Sequence, residues 1–95
     1  MTATRHLYVF AYDVERDAAR ARLARLFERR MIRVQKSVFE GRMTAAEARR
    51  LSRQAALLLR ETDSLRVYCL TAEGLAASFA SGGAPLAEKS GFLLL

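Results

Sequence analysis

The sequence predicts an α+β domain, and three features of its 95 residues carry that reading. An apolar run ending in a carboxylate opens the chain. Two segments space their apolar residues at helical intervals. Extended stretches rich in β-branched residues lie between and after them. The resulting order of strand, helix, extended pair, helix and strand is the βαββαβ pattern of a ferredoxin-like sandwich, with two helices on one face of an antiparallel sheet.

The first strand is expected over residues 6–13, after a frayed start at residues 1–5. His6-Leu7-Tyr8-Val9-Phe10-Ala11-Tyr12-Asp13 is rich in aromatic and β-branched residues and gives way to the charged cluster Glu15-Arg16-Asp17. Its alternate sets, Leu7, Val9, Ala11 and Tyr8, Phe10, Tyr12, are both apolar, so the strand should be covered on both faces. Residues 16–30 turn helical: Ala19, Leu23, Leu26 and Phe27 define an inner face, and Arg22, Arg25 and Arg29 a basic ridge opposite. Arg16 and Arg20 occupy the first turns, beside the strand end that carries Asp13.

Residues 31–43, MIRVQKSVFEGRM, read as extended, either two short strands or one bent strand, because no Asn-Gly or Pro-Gly turn marks the middle. Thr44-Ala45-Ala46-Glu47 is a capping box that opens a second helix. Ala48, Leu51, Ala55, Leu58 and Leu59 form its buried stripe, Arg49, Arg53 and Arg60 line the other side, and Asp63-Ser64 ends it. Leu65-Arg66-Val67-Tyr68-Cys69-Leu70 is the last strand of the pattern. One domain is expected over residues 1–80. Residues 81–95 form a link, Ser81-Gly82-Gly83-Ala84-Pro85, and an apolar end, Gly91-Phe92-Leu93-Leu94-Leu95, that packs as an added strand on its own sheet or a partner's.

Because the helices cover one sheet face, an apolar strand leaves the other in need of cover. A second copy of the chain, making a homodimer, is the economical answer. Composition is globular, with 52% hydrophobic and 27% charged residues, and the net charge of +6 suits a polyanionic partner. Eight of the 16 basic residues fall between positions 16 and 36, with only Asp17 and Glu28 against them, and so lopsided a cluster favours phosphate contact. One cysteine, Cys69, excludes an internal disulfide and a cysteine-based zinc site. With no signal segment and no apolar run near the length of a membrane span, a cytoplasmic protein is expected.

Several enzyme classes close early. His6 is the single histidine, which leaves no serine triad, and neither a dinucleotide fingerprint nor a phosphate loop is present. Asp13 stays open to two readings. A carboxylate between strand and helix can cap that helix. Alternatively, if a dimer axis passes near the strand end, two copies of Asp13 supply a pair of carboxylates to one Mg²⁺ or Mn²⁺, hard cations that need few protein ligands. A metal held there can activate water and offset charge on a phosphodiester.

Tyr12-Asp13 at the end of the first strand, followed by Arg33-Val34-Gln35-Lys36-Ser37-Val38-Phe39-Glu40-Gly41, resembles the small CRISPR-associated nuclease family, the dimeric partner of the spacer-acquisition integrase. The resemblance runs over residues 7–70. It implies a ferredoxin-like homodimer, Mg²⁺-dependent cleavage of RNA or DNA, and a scaffold that bridges integrase subunits around captured DNA. Asp13 matches the metal-binding aspartate, with Tyr12 beside it; Ser37 and Phe39 match the second motif and are taken with Asp13 as catalytic. Arg16, Arg20, Arg22 and Arg33 are the expected nucleic-acid contacts. Glu40 and Gly41 complete the motif without an assigned role.

Each residue also has an ordinary use: Phe39 as a packed strand residue, Ser37 as a backbone partner at a bend, the arginines as solvated helix faces. Two functions are therefore carried forward, a metal-dependent endonuclease of CRISPR adaptation and a non-catalytic dimeric scaffold for integrase and DNA. An RNA-recognition module on the same fold is disfavoured, because residues 37–43 lack the aromatic pattern that stacks bases.

Overall fold

The computed structural model describes residues 3–83. Four strands, β1 (Arg5–Asp13), β2 (Ile32–Gln35), β3 (Val38–Thr44) and β4 (Ser64–Leu70), form one sheet in the order β2-β3-β1-β4, with every neighbouring pair antiparallel. Helices α1 (Asp17–Glu28) and α2 (Ala45–Ala56) connect β1 to β2 and β3 to β4, the ferredoxin-like arrangement expected from the sequence. A short α3 (Ala72–Ala77) follows β4 and lay outside that expectation. The apolar end at residues 91–95 falls outside the described residues.

The extended segment resolves into two strands joined at residues 36–37. Among the described residues none other than glycine has positive φ, so the turn is not of the primed hairpin types that Asn-Gly marks. A register shift between Arg33 and Gln35 supplies the geometry instead. The Arg33 guanidinium holds it, donating from Nε (3.0 Å) and Nη2 (2.6 Å) to the Lys36 carbonyl.

The core lies between sheet and helices. Tyr8, Phe10 and Tyr12 project from β1 toward α1 and α2, and all three are buried. Phe27 of α1 is the hub, with ring centroids 5.2 Å from Phe10, 5.5 Å from Phe39 and 5.9 Å from Tyr12. Such pairs add about 0.5–1.5 kcal/mol each beyond the area they bury.

At the start of α2 the capping box forms as read. The Glu47 N–H donates to Thr44 Oγ1 (3.1 Å) and the Thr44 N–H to Glu47 Oε1 (2.9 Å). The helix is shorter than its apolar stripe implied. It ends at Ala56, and Leu58 and Leu59 pack half-buried from the turns that follow. Arg60 consequently leaves the helix face assigned to it and sits in the α2–β4 connection.

Gly41 explains its own place in the motif. A Cβ there would lie 2.6 Å from Met31 Cγ and 2.7 Å from the Arg30 carbonyl oxygen. The chain can enter β2 this close to β3 only because position 41 carries no side chain.

Candidate nucleic-acid interface

Strand pleating decides which groups share a side of the sheet. Along β1, Tyr8, Phe10 and Tyr12 face the helices, so Val9, Ala11 and Asp13 face the other way. Asp13 pairs in register with Ser64 at the rim of this open face and is exposed. Its carboxylate makes no hydrogen bond or ion pair with another described residue. Nor does it cap α1: the N-cap is Arg16, without a side-chain cap bond. The ordinary use of Asp13 as a helix cap is therefore set aside, and its carboxylate is left available.

The open face is mixed in character. Val9 and Ala11 of β1 and Val38 of β3 are half-buried, and Tyr68 keeps half its surface. Arg66 beside it donates from Nη1 to the Tyr68 hydroxyl at 3.3 Å. Glu40, opposite both Val9 and Ile32, is only 7% exposed, a carboxylate enclosed on the face opposite α1 and α2.

Ser37 and Phe39 lie on the helix side, away from Asp13. Ser37 is placed by its backbone, whose carbonyl accepts from the Tyr12 N–H at 3.0 Å. Phe39 has no exposed surface and packs against Tyr12 and Phe27, with the Arg33 guanidinium 5.5 Å from its ring centroid. Its surface is enclosed, so it reaches a substrate only through its neighbours. The three residues taken together as catalytic are thus not gathered by one protomer. Tyr12 donates its hydroxyl proton to the Lys36 carbonyl at 3.3 Å, and burial raises the pKa of that hydroxyl, partly offset by the nearby Arg33.

The predicted basic contacts gather at the same end of the sheet as Asp13. Arg20 donates to the carbonyls of Val14 (2.8 Å) and Glu15 (2.5 Å) and pairs with Asp17, tying down the loop after β1. Arg16 donates from Nη2 to the Leu58 carbonyl (2.8 Å) and lies 3.8 Å from the Asp63 carboxylate. Arg33 is engaged with Lys36 and stands 3.7 Å from Glu28. Arg22 is exposed and has no partner among the described residues. Three of the four predicted contacts therefore also hold the fold together.

Two open clefts flank α1. One, of about 730 Å³, is lined by Arg20, Ala21 and Ala24 of α1 and by residues 33–37, including Arg33, Lys36 and Ser37. The other, of about 390 Å³, lies between α1 and the end of α2, with Arg16, Arg22 and Arg60 in its walls. Arg60 and Asp63 were read from the sequence only as a helix face and a helix stop. Both belong to this region because α2 ends early.

A metal test follows from the donors. Among the described residues no group of three His, Cys, Asp or Glu side chains could hold an ion. One protomer offers Asp13 alone, a hard oxygen donor that suits Mg²⁺ or Mn²⁺ if a second carboxylate and waters complete the shell. The fit thus depends on a second copy of the open face.

Comparison with known proteins gives this arrangement relatives. The family model described as CRISPR associated protein Cas2 matches residues 6–77. The chain is 34% identical over 90 residues to the CRISPR-associated endoribonuclease Cas2 3 of Synechocystis sp., covering 94% of this chain and 98% of that one. It is 41% identical over 80 residues to the CRISPR-associated endoribonuclease Cas2 of Thermus thermophilus, covering 82% and 85%. Among solved structures, a chain of a partial Cas6-RT-Cas1–Cas2 complex superposes with a TM-score of 0.71 at 32% identity, covering 86% of this chain and 91% of its own. No helix of the described residues is long and apolar enough to cross a membrane.

Proposed function

The chain belongs to the CRISPR-associated Cas2 family, and on that premise we propose that it works as a homodimer in CRISPR adaptation, cleaving phosphodiester bonds with Mg²⁺ or Mn²⁺ held between two Asp13 carboxylates. The observation that carries the proposal is the state of Asp13: exposed at the rim of the sheet face opposite α1 and α2, with neither a helix to cap nor a cation partner among the described residues. Two open faces set against each other cover Val9, Ala11 and Val38 and bring the two aspartates toward one axis.

A bound Mg²⁺ would lower the pKa of a coordinated water and neutralise developing phosphate charge. The chain's own residues do the rest. Arg20 fixes the loop after Asp13 by its bonds to Val14 and Glu15, which limits the positions the carboxylate can take. Arg33 and Tyr12 both bond the Lys36 carbonyl, fixing the turn that presents Ser37 and the Lys36 ammonium to the substrate backbone. Phe39 contributes by packing under Arg33.

A second reading, a non-catalytic scaffold for DNA and the integrase, draws on one specific observation. Ser37 and Phe39 lie across the sheet from Asp13, so a protomer assembles basic arms more completely than it assembles a catalytic group. The likeness to a chain from a complex named for both Cas1 and Cas2 supports an integrase partner under either reading.

Asp13→Asn separates the two. The enzyme requires that this change abolish Mg²⁺-dependent cleavage of RNA and DNA by a rigorously purified sample while light scattering still reports a dimer. Cleavage unaltered by Asp13→Asn overturns the assigned site, and spacer acquisition that survives the substitution assigns the biological role to the scaffold.

A further inference from the structure

We infer that Ser64 is a positioning residue for the Asp13 site, its hydroxyl orienting the carboxylate and a water that accompanies bound Mg²⁺ or Mn²⁺. The inference rests on the proposed metal site and adds to it a residue of β4.

Register places the two side chains together. Asp13 and Ser64 are direct partners at the last rung of the antiparallel β1–β4 ladder, where the Cβ atoms of opposed residues stand about 4.5–5.5 Å apart. Leu65 and Val67 pack against the core, so by the alternation of the strand Ser64, Arg66 and Tyr68 point to the opposite face, the one that carries Asp13. Ser64 is exposed, and its hydroxyl makes no hydrogen bond with another described residue. A hydroxyl and a carboxylate at this spacing, neither of them bonded elsewhere, can share one water.

The neighbouring groups on this face are engaged or absent. Arg66, one diagonal away from Asp13, donates from Nη1 to the Tyr68 hydroxyl at 3.3 Å and so leans away from the carboxylate. On the β3 side the ladder ends at the Ala11–Val38 pair, two residues before Asp13. Among the described residues of the sheet, Ser64 is thus the polar group left beside Asp13.

The backbone of Ser64 is fixed from both sides. β1 holds it in register, and the residue before it anchors the start of β4. The Asp63 side chain, 3% exposed, accepts from the Arg60 N–H at 2.8 Å through Oδ2 and lies 3.8 Å from Arg16 Nη2, while the Asp63 N–H donates to the Arg60 carbonyl at 2.9 Å. A short side chain on a backbone so held has three staggered positions for its oxygen and no more. Mg²⁺ keeps several waters when few carboxylates bind it, and the groups that hold those waters and carboxylates in turn set the affinity of the site. In a dimer closed on this face, two Ser64 hydroxyls would flank the two Asp13 carboxylates.

The test is Mn²⁺ binding to the intact protein without substrate, read as loss of the free-ion signal in electron paramagnetic resonance. Ser64→Ala should weaken Mn²⁺ affinity by about tenfold, the low end of what loss of an outer partner costs, and Ser64→Thr, which keeps a hydroxyl, should retain most of it. Metal-free thermal midpoints should stay at the wild-type value, since the Ser64 side chain bonds nothing within the fold; a midpoint lowered by Ser64→Ala would make the residue structural and refute the inference. Ser64→Ala binding Mn²⁺ like wild type, or Ser64→Thr falling as far as Ser64→Ala, also refutes it, and the paired-aspartate site still stands if Asp13→Asn abolishes binding in the same assay. A wild-type protein that binds no Mn²⁺, or an Asp13→Asn protein that binds it undiminished, overturns both.

Discussion

Gly41→Ala isolates the one steric demand that the R-V-Q-x-S-V-F-E-G motif places on the fold. The residue has no positive φ, so alanine meets no conformational obstacle there, and the unfolded chain would even favour it by about 0.4–1 kcal/mol through lost entropy. Against that stands contact. The new methyl carbon would lie 2.7 Å from the Arg30 carbonyl oxygen, 2.6 Å from Met31 Cγ and 3.2 Å from Met31 Cα, where ordinary contact begins at 3.4 Å. Met31 cannot swing clear, because its Cγ sits next to the backbone and the residue is only 6% exposed. The chain leading into β2 must move by several tenths of an ångström. Overpacking of that kind costs about 1–3 kcal/mol, so the net loss is roughly 1–2 kcal/mol after the entropic gain. For a domain of this size that lowers the melting midpoint by about 5–15 °C. Differential scanning calorimetry on wild type and variant at one protein concentration measures it. A Gly41→Ala protein as stable as wild type would refute the close-approach account and leave the glycine unexplained.

Phe39→Ala should destabilise by about 3–5 kcal/mol in urea unfolding, because it empties the space among Tyr12, Phe27 and Arg33; loss of cleavage with wild-type stability would instead make Phe39 a direct participant. Glu47 has its carboxyl pKa lowered by the Thr44 N–H, then by the Thr44 hydroxyl and by Arg5 and Arg30. Its stabilising contribution is therefore present above the unfolded pKa of about 4.3 and is lost as pH falls through the folded value. Wild type should lose stability faster than Glu47→Gln on acidification below about pH 5, and parallel pH profiles would count against the capping box as the cause. Asp63→Ala should cost about 1–3 kcal/mol by removing a buried acceptor, and should speed amide exchange across residues 14–17, read by mass spectrometry. Unchanged exchange there would show that Arg16 holds the loop through Leu58 alone.

Most of the fold was legible because its signals are local. The continuous apolar run of β1 ending at Asp13, the capping box at Thr44 and the spacing of Leu23 and Phe27 each involve residues a few positions apart. What stayed illegible depends on distant contacts. The two-strand hairpin gave no turn signal because its bend is set by a register shift and by Arg33 reaching Lys36, not by an Asn-Gly pair. The end of α2 was read too late because Leu58 and Leu59 continue the apolar pattern while packing from turns. That error hid Arg60 and Asp63, whose roles arise only from meeting Arg16, 44 and 47 positions away. Phe39 and Ser37 were grouped with Asp13 by motif, whereas strand parity divides them.

That division bears on how the protein works. Asp13 sits on the open face and the arginines of α1 on the helix side, so the two sets approach one another only at the rim where β1, the β2–β3 turn and the end of α2 converge. A partner copy laid on the open face covers the sheet yet leaves the helices bare. Under the proposed function, nucleic-acid contact by the α1 arginines and metal binding by Asp13 would be carried on different surfaces, joined through the loop that Arg16 and Arg20 hold in place. On that proposal a strand held along the helices would reach the paired aspartates by crossing the rim. Loss of either surface would leave the other intact. A chain that keeps its arginines and loses its metal is still a scaffold, whereas one that keeps Asp13 and loses its arms has a metal site with nothing to hold the substrate.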